Sequence, residues 1–321
     1  MAEWKNGIAK LTVPTPFPVG DVHMYLIKGD TLTLVDGGVK TEAAWSAFRQ
    51  QLQQLGFSPE DIEQVILTHH HPDHVGLLDF LPDSVKVSAH PLNERWLTRN
   101  ADFEAARETF YMELYHQFGV PDAYSKPFIK SMKKMLTLSC NRPLTGYLHE
   151  NDEPEGLYGW KVIETPGHSQ GHIALVSARD GLFIGGDALI SHISSNPLLE
   201  PPHPGKLERP KPQVQYNETL RKLFDYPITH VFPGHGPEFG DIRPLIEKRL
   251  SRQHERAMKV KAIIDQGHTS VFEICQCLFP AVYLKELELT ISETVGQLDY
   301  LLELGEIAVL NDGEILRYTV K

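Results

Sequence analysis

The sequence predicts an α+β protein with a large domain over residues 1–242 and a small, mainly helical one over residues 243–321. Three observations carry this. Short β-branched runs bounded by Gly, Pro and Asp recur from Ile8 to Phe232, with an amphipathic helical stretch among them. A histidine-rich segment, Thr68 to His74, falls at the end of one such run. Beyond Arg243 the pattern becomes helical and closes on a hairpin signature.

Ile8 to Val13 and His23 to Lys28 read as strands separated by the proline-rich Pro14 to Pro18. Gly29-Asp30 turns the chain into Thr31 to Val35, giving a hairpin. Asp36-Gly37-Gly38 is a turn signal first, and it leaves Asp36 as a candidate to orient a metal-bound histidine. Thr41 to Leu55 places Trp45, Phe48, Leu52 and Leu55 on one helical face, and Gly56 stops it. Val65-Ile66-Leu67 is a short buried strand that runs into Thr68-His69-His70-His71-Pro72-Asp73-His74. Pro72 forbids a helix that continues through this stretch, so the histidines are expected on a loop at a strand end.

Val85 to Ser88 is the next strand. His90 after it lacks a second donor at metal spacing and is expected to be a hydrogen-bonded structural histidine. An inserted helical segment over about 92–140 is rich in aromatics and methionine, with Phe103, Phe110, Tyr111, Tyr115, Phe118, Tyr124, Phe128 and Met132. It reads either as a lid lining an apolar pocket or as helices packed on their own scaffold or a dimer partner. Strand patterns resume at Trp160 to Glu164, and a Pro-Gly turn then presents His168, while His172 enters the next strand in a buried, hydrogen-bonded role. Leu182-Phe183-Ile184 ends in Gly185-Gly186-Asp187, where two glycines let the backbone approach a site closely. His192 to Pro212 is a proline-rich loop, and after Ile228 to Phe232 a second Pro-Gly turn presents His235.

His69, His71, Asp73 and His74 form an HxHxDH pattern. Imidazole lone pairs and a carboxylate gathered this tightly need a positive partner if buried, and a metal ion is that partner. Residues two apart on extended backbone face the same way, so His69 and His71 can aim at one ion while His70 points elsewhere. Asp73 and His74 can aim at a second. The donor set favours zinc, with iron and manganese as alternatives. Composition narrows the class: a formal net charge of −11 disfavours wholesale binding to nucleic acid or an anionic membrane. No apolar run approaches the roughly 18 residues of a membrane span, and the opening residues lack an apolar signal core, so a cytoplasmic protein is expected. Cys140, Cys275 and Cys277 are an odd three and read as free thiols.

The set His69, His71, Asp73, His74, His168, Asp187 and His235 resembles, in chain order, the metal-binding set of the metallo-β-lactamase fold superfamily, in its glyoxalase II-like, lactamase-like branch. The resemblance covers about Ile8 to Gly240. It implies a four-layer αββα sandwich with the metals at one edge between the sheets. It further implies that His69, His71 and His168 hold a first ion, Asp73, His74 and His235 a second, and that Asp187 bridges them. Two divalent cations sharing a water lower its pKa toward neutrality and polarise the bond under attack, so a bridging hydroxide would be the nucleophile, with Asp73 as the catalytic residue that orients it and takes its proton. Both motif histidines are present, which departs from the electron-transfer branch of the superfamily. Ala188, Leu189 and Ile190 stand where quorum-quenching lactonases carry a tyrosine.

In the last 79 residues three helices and a hairpin around Asn311-Asp312-Gly313 resemble a winged-helix domain: Leu245 to Ile264, Ser270 to Phe279, and a helix starting near Thr290 with Glu293 completing a capping box. The acidic residues from Leu287 onward (Glu288, Glu293, Asp299, Glu303, Glu306, Asp312 and Glu314) outnumber Arg317 and Lys321, and such a recognition helix would repel phosphate. Packing against the catalytic domain or a second subunit is expected instead. The opposite sign lies on the preceding helix, where Arg243, Lys248, Arg249, Arg252, Arg256, Lys259 and Lys261 keep an anionic substrate in play. The expected function is dinuclear metal-dependent hydrolysis of a small ester, thioester or lactone. The alternatives are a metal-dependent phosphodiesterase or endoribonuclease, and a non-catalytic scaffold with a vestigial site. A homodimer is compatible with either reading.

Overall fold

A computed structural model describes residues 2–310 and 313–321. The first sheet has seven strands in sequence order: β1 (Trp4–Lys5), β2 (Ile8–Val13), β3 (Val22–Lys28), β4 (Leu32–Val35), β5 (Gln64–Ile66), β6 (Lys86–Ala89) and β7 (Gly146–Tyr147). Its β1–β4 part is an antiparallel meander, and β4 to β7 run parallel. Between them lie α1 (Glu42–Gln54), a one-turn α2 (Pro72–Val75), and the insertion helices α3 (Glu94–Leu97), α4 (Ala101–Gln117) and α5 (Asp122–Met135). The second sheet comprises β8 (Lys161–Glu164), β9 (Ile173–Ser177), β10 (Leu182–Gly186) and β11 (His230–Pro233), with α6 (Pro212–Lys222) crossing over between the parallel pair β10 and β11. The chain ends with α7 (Ile242–Asp265), α8 (Val271–Leu278), α9 (Leu287–Glu303) and the antiparallel pair β12 (Ile307–Leu310) and β13 (Arg317–Val320).

Strand alternation sorts the side chains into layers. Ile8, Tyr25, Ile27, Val35 and Ile66 of the first sheet meet Val162, Leu175, Ile184 and Phe232 of the second in an inner apolar cluster. Their sequence neighbours turn outward: Ala9, Leu11 and Val13 pack on Ala44, Phe48 and Leu52 of α1. On the far side, Ile163, Ala174, Val176, Phe183 and Val231 pack on Tyr216 and Leu220 of α6 and on Ile242 and Ile246 of α7. The layers thus run helix, sheet, sheet, helix, which is the expected αββα sandwich.

A fourth apolar cluster joins the insertion to the C-terminal elements. Tyr111, Tyr115, Phe118 and Phe128 of the insertion interdigitate with Ala257, Val260 and Ile264 of α7 and with Ile291, Val295 and Leu298 of α9. α7 therefore belongs to two layers: its first turns cover the second sheet and its last turns enter this cluster. The expected boundary at residue 243 falls in the first turn of that helix.

Several local expectations need correction. His69, His70 and His71 lie on the expected loop after β5, but Pro72 opens a new helix: it occupies the first position of α2, where a missing N–H costs nothing, so Asp73 and His74 are helical. α9 begins at Leu287, not near Thr290; the Thr290 hydroxyl donates to the Glu286 carbonyl at 2.9 Å, and Glu293 pairs with Arg256, so no capping box forms there. The capping box instead joins Ser270 and Glu273 at the start of α8. The packing role expected of α9, by contrast, agrees with the structure: most of its length is buried, and Asp299 accepts a bidentate pair from Arg209 at 2.7 Å. The basic stripe on α7 is broken up: Arg249 is buried and donates to the carbonyls of Ile190 and Ile193, while Arg256 and Lys261 pair with Glu293 and Glu306. The hairpin turn assigned to Asn311 and Asp312 lies outside the described residues. Among the described residues no helix is long and apolar enough to cross a membrane, and Cys140, Cys275 and Cys277 are free.

Candidate metal centre

Strand ends of both sheets deliver the motif residues to one edge of the sandwich. β5 carries the chain into His69 and His71, α2 carries Asp73 and His74, and β10 ends at Asp187. His168 follows β8 and His235 follows β11. The Thr68 carbonyl accepts from the Ile173 N–H at 2.8 Å, and the His23 N–H donates to the Gly234 carbonyl at 2.8 Å, so main-chain bonds clasp the two sheets at the site.

Three overlapping donor groups result: His69, His71 and His168; His69, His74 and Asp187; Asp73, His74 and His235, each with its atoms within 4.8 Å of one another. Asp187 lies between the outer groups. Its Oδ1 is 3.5 Å from His74 Nε2, and its Oδ2 is 3.4 Å from His168 Nε2 and 3.6 Å from His235 Nε2. His235 Nε2 is also 3.3 Å from Asp73 Oδ2. The structure thus brings together all seven residues singled out by the sequence.

The opposite ring nitrogens fix which lone pairs face inward. His74 Nδ1–H donates to Asp36 Oδ2 at 2.8 Å, His168 Nδ1–H to the Asn196 carbonyl at 2.8 Å, and His235 Nδ1–H to the Asp21 carbonyl at 2.8 Å. The Thr68 hydroxyl gives its proton to Asp36 Oδ2 at 2.9 Å, so it accepts from His69 Nδ1 at 2.9 Å. Each of these four imidazoles therefore directs a bare Nε2 at the centre. Asp36, the residue proposed to orient a histidine, takes the left-handed backbone (φ 64°) and also accepts from the Thr68 N–H at 2.7 Å.

Among the described residues, Nε2 of His69, His74 and His168 and Oδ1 of Asp187 are buried without a hydrogen-bond partner. Buried lone pairs that face one another repel unless a cation collects them, so this donor set fits a metal. The electrostatics agree. Burial, then neighbouring imidazoles, hold His69 and His71 well below the usual histidine range, in the neutral form that ligates. At His74 burial is outweighed by Asp187, Asp36 and Asp73, which raise its pKa well above the usual range; the same negative potential would be met by a cation at the centre, leaving the ring neutral. Burial would raise Asp187, yet His235, His74 and His168 hold it well below the carboxylate range.

Two glycines make the approach of these groups feasible. A Cβ on Gly234 would lie 2.3 Å from Asp187 Oδ1, and one on Gly186, at φ 47°, would lie 2.6 Å from the Thr68 hydroxyl. His172 has the expected buried role: its Nδ1 shares a proton with the Thr165 hydroxyl at 2.7 Å, and its Nε2 accepts from the Asp187 N–H at 3.1 Å. His70 stacks on Trp96 with ring centroids 4.2 Å apart and bonds Asn93 Oδ1 at 3.3 Å, off the ligand cluster. The hydrogen-bonded role expected of His90 is present, since its Nδ1 accepts from the Leu92 N–H at 3.3 Å, but the expected lack of neighbouring donors is not. His90 does have further donors nearby, His149 and Glu164, which sequence spacing did not bring together.

The centre opens into a cleft of about 900 Å³ walled by Phe17, Tyr124, Phe128, Met132, Leu198 and Leu287, among others. Both readings of the insertion are thus realised in one element: α4 and α5 pack on the C-terminal helices and also wall this cleft.

The model of the metallo-beta-lactamase superfamily matches residues 17–235. A Bacillus subtilis protein named "Probable metallo-hydrolase YqjP" is 44% identical over 294 residues, 92% of each chain. Among solved structures, a metallo-beta-lactamase family protein from Thermus thermophilus superposes with a TM-score of 0.82 at 27% identity over 99% of both chains. A beta-lactamase domain protein from Burkholderia ambifaria shares the fold, with a TM-score of 0.81 at 23% identity over 99% of this chain and 94% of that one. The family match spans the segment that carries all the clustered donors, and the likeness to the Bacillus subtilis relative covers more of the chain than that segment: this chain belongs to the metallo-beta-lactamase superfamily.

Proposed function

We propose that the protein is a dinuclear metal-dependent hydrolase of esters, thioesters or lactones with an apolar acyl portion. The observation that carries the reading is the junction of the histidine–carboxylate cluster with the apolar cleft. His69, His71 and His168 would hold one ion and Asp73, His74 and His235 the other, with Asp187 between them. Zinc suits this nitrogen-rich set best, with iron and manganese as alternatives. Two divalent cations bound there supply Lewis acidity, which polarises a carbonyl and acidifies water.

The chain's own residues account for the rest. Asp73 lines the cleft as well as facing His235, so its carboxylate is placed to take a proton from an attacking water. Asp36 and the Asn196 and Asp21 carbonyls keep the imidazoles in the ligating tautomer throughout. The aromatic and methionine wall binds an acyl chain and limits the water that reaches the carbonyl.

Charge in the cleft argues against a phosphodiester substrate. Among the described residues its lining cations are Arg107 and Lys285; Arg107 is already paired with Glu104 at 2.6 Å, and Lys285 stands beside Glu286, so the cleft carries no excess of positive charge. A nucleic-acid backbone would need an excess of positive charge along its path. The relative named a probable metallo-hydrolase supports hydrolysis as the reaction class. A panel of acyl thioesters and aryl esters of increasing chain length, lactones, aryl phosphodiesters and a short RNA tests the substrate assignment. Rising kcat/KM with acyl length is expected; turnover confined to the phosphodiesters or RNA would overturn it.

A further inference from the structure

A second donor cluster lies away from the cleft. His90 follows β6, His149 lies two residues past β7, and Glu164 is the last residue of β8. β7 is the edge of the seven-stranded sheet and β8 the edge of the four-stranded one. The three side chains therefore meet where the open margins of the two sheets adjoin, and their donor atoms all fall within 4.8 Å of one another.

The spacing within the cluster is wider than hydrogen bonding requires. His90 Nε2 is 3.5 Å and His149 Nδ1 is 3.8 Å from the same oxygen, Glu164 Oε1. Direct N–H···O bonds would close to about 2.7–3.2 Å. Three ligands on a tetrahedral ion with bonds of about 2.0–2.1 Å stand roughly 3.4 Å apart. The superfamily's own centre in this chain has the same spacing, with His168 Nε2 3.4 Å and His74 Nε2 3.5 Å from Asp187. Both contacts are too long for direct hydrogen bonds, and the His90–Glu164 spacing matches that of two ligands sharing a cation.

The surroundings suit ligation. The Glu150 N–H donates to Glu164 Oε1 at 3.2 Å and holds the carboxylate in place. Burial first, then His149 and His203, lower the His90 pKa against the pull of Glu164, which keeps the imidazole neutral. Ligation through Nε2 puts the ring proton on Nδ1, at the expense of a long 3.3 Å contact from the Leu92 N–H. His149 and Glu164 are open to solvent, so water could reach an ion held there.

We propose that His90, His149 and Glu164 form a separate mononuclear site for a divalent transition metal, with zinc as the physiological ion, that clips the edges of the two sheets together. Its ligands select nitrogen-preferring ions over calcium or magnesium. Glu164 directly precedes the turn that presents His168, so the clip also steadies the strand that supplies that histidine.

The test compares metal content per chain, by elemental analysis after zinc loading and dialysis, in the wild-type protein, His149→Ala, the milder His149→Gln, and Glu164→Gln. Each variant is expected to retain one equivalent less than the wild type, and the wild-type Tm is expected to rise with zinc by several degrees more than theirs. Equal zinc content in all four chains with identical zinc-induced shifts would overturn the proposal. The readout is metal content and stability and needs no hydrolytic activity.

Discussion

Asp36 Oδ2 lies 2.8 Å from His74 Nδ1, and this carboxylate makes no approach to the cluster except through that ring and through Thr68. Asp36 accepts from three donors at once: the Thr68 N–H, the Thr68 hydroxyl and the His74 imidazole. Two of the inward-facing lone pairs, on His69 and His74, are therefore set by one residue that would not itself touch a metal.

Asp36→Asn tests that arrangement while tolerating the left-handed backbone, since asparagine also occupies this region. An amide offers one acceptor atom and presents a donor where a second acceptor is needed. Metal affinity, measured by competition with a chelator, is expected to fall about 10- to 100-fold, with far-UV circular dichroism unchanged. Unchanged affinity would mean that the imidazole tautomers are held some other way.

Gly234→Ala should be more damaging than its size suggests. The added methyl would meet Asp187 Oδ1 at 2.3 Å and His74 Cε1 at 2.9 Å, both parts of the donor cluster. Metal content of the purified variant is expected to drop below half that of the wild type, and its Tm to fall with it. A glycine chosen for turn flexibility alone would give a milder loss without effect on metal.

Glu200 predicts a pH effect on stability. Its carboxyl is buried; burial raises its pKa from 4.5 to about 7, against the Gln170 N–H at 2.8 Å and the Arg95 guanidinium, with Tyr111 also facing Arg95. The folded state then holds a proton that the unfolded chain releases above about pH 4.5. The unfolded state binds fewer protons in that window, so stability falls as pH rises from about 4.5 to 7 and levels off above. Glu200→Gln keeps an acceptor for Gln170 and removes the titration. Between about pH 5 and 7.5, in saturating zinc, the wild type is expected to lose on the order of 2 kcal/mol relative to this variant in denaturant titrations. A constant difference would contradict the buried, protonated carboxyl.

The parts of this site that were legible in the sequence are those with local signatures. HxHxDH on a strand end, Pro-Gly turns before His168 and His235, and paired glycines before Asp187 each declare a backbone geometry that delivers one side chain. The αββα layering, by contrast, is carried by the resemblance of the donor set and not by any pattern within the strands. What stayed hidden depends on contacts between distant segments. His149 and Glu164 reach His90 only because β7 and β8 are the facing edges of two sheets, and no spacing encodes that. Charge patterns misled for the same reason: Arg249 looks like part of a solvated basic face, yet it is buried against the Ile190 and Ile193 carbonyls beside the cleft. The start of α9 was misplaced because Thr290 resembles an N-cap in sequence while its hydroxyl bonds back into the preceding turn.

The most direct measurement is metal content on the same preparation used for hydrolysis of an acyl thioester, for the wild type, His71→Ala and Asp187→Ala. A dinuclear hydrolytic centre predicts at least two zinc-class ions per wild-type chain, loss of one or both in each variant, and a fall in kcat of at least about a thousandfold with the fold intact. A wild-type chain with less than about one ion, or variants that turn over the thioester as the wild type does, would contradict the assignment of this centre as the seat of hydrolysis.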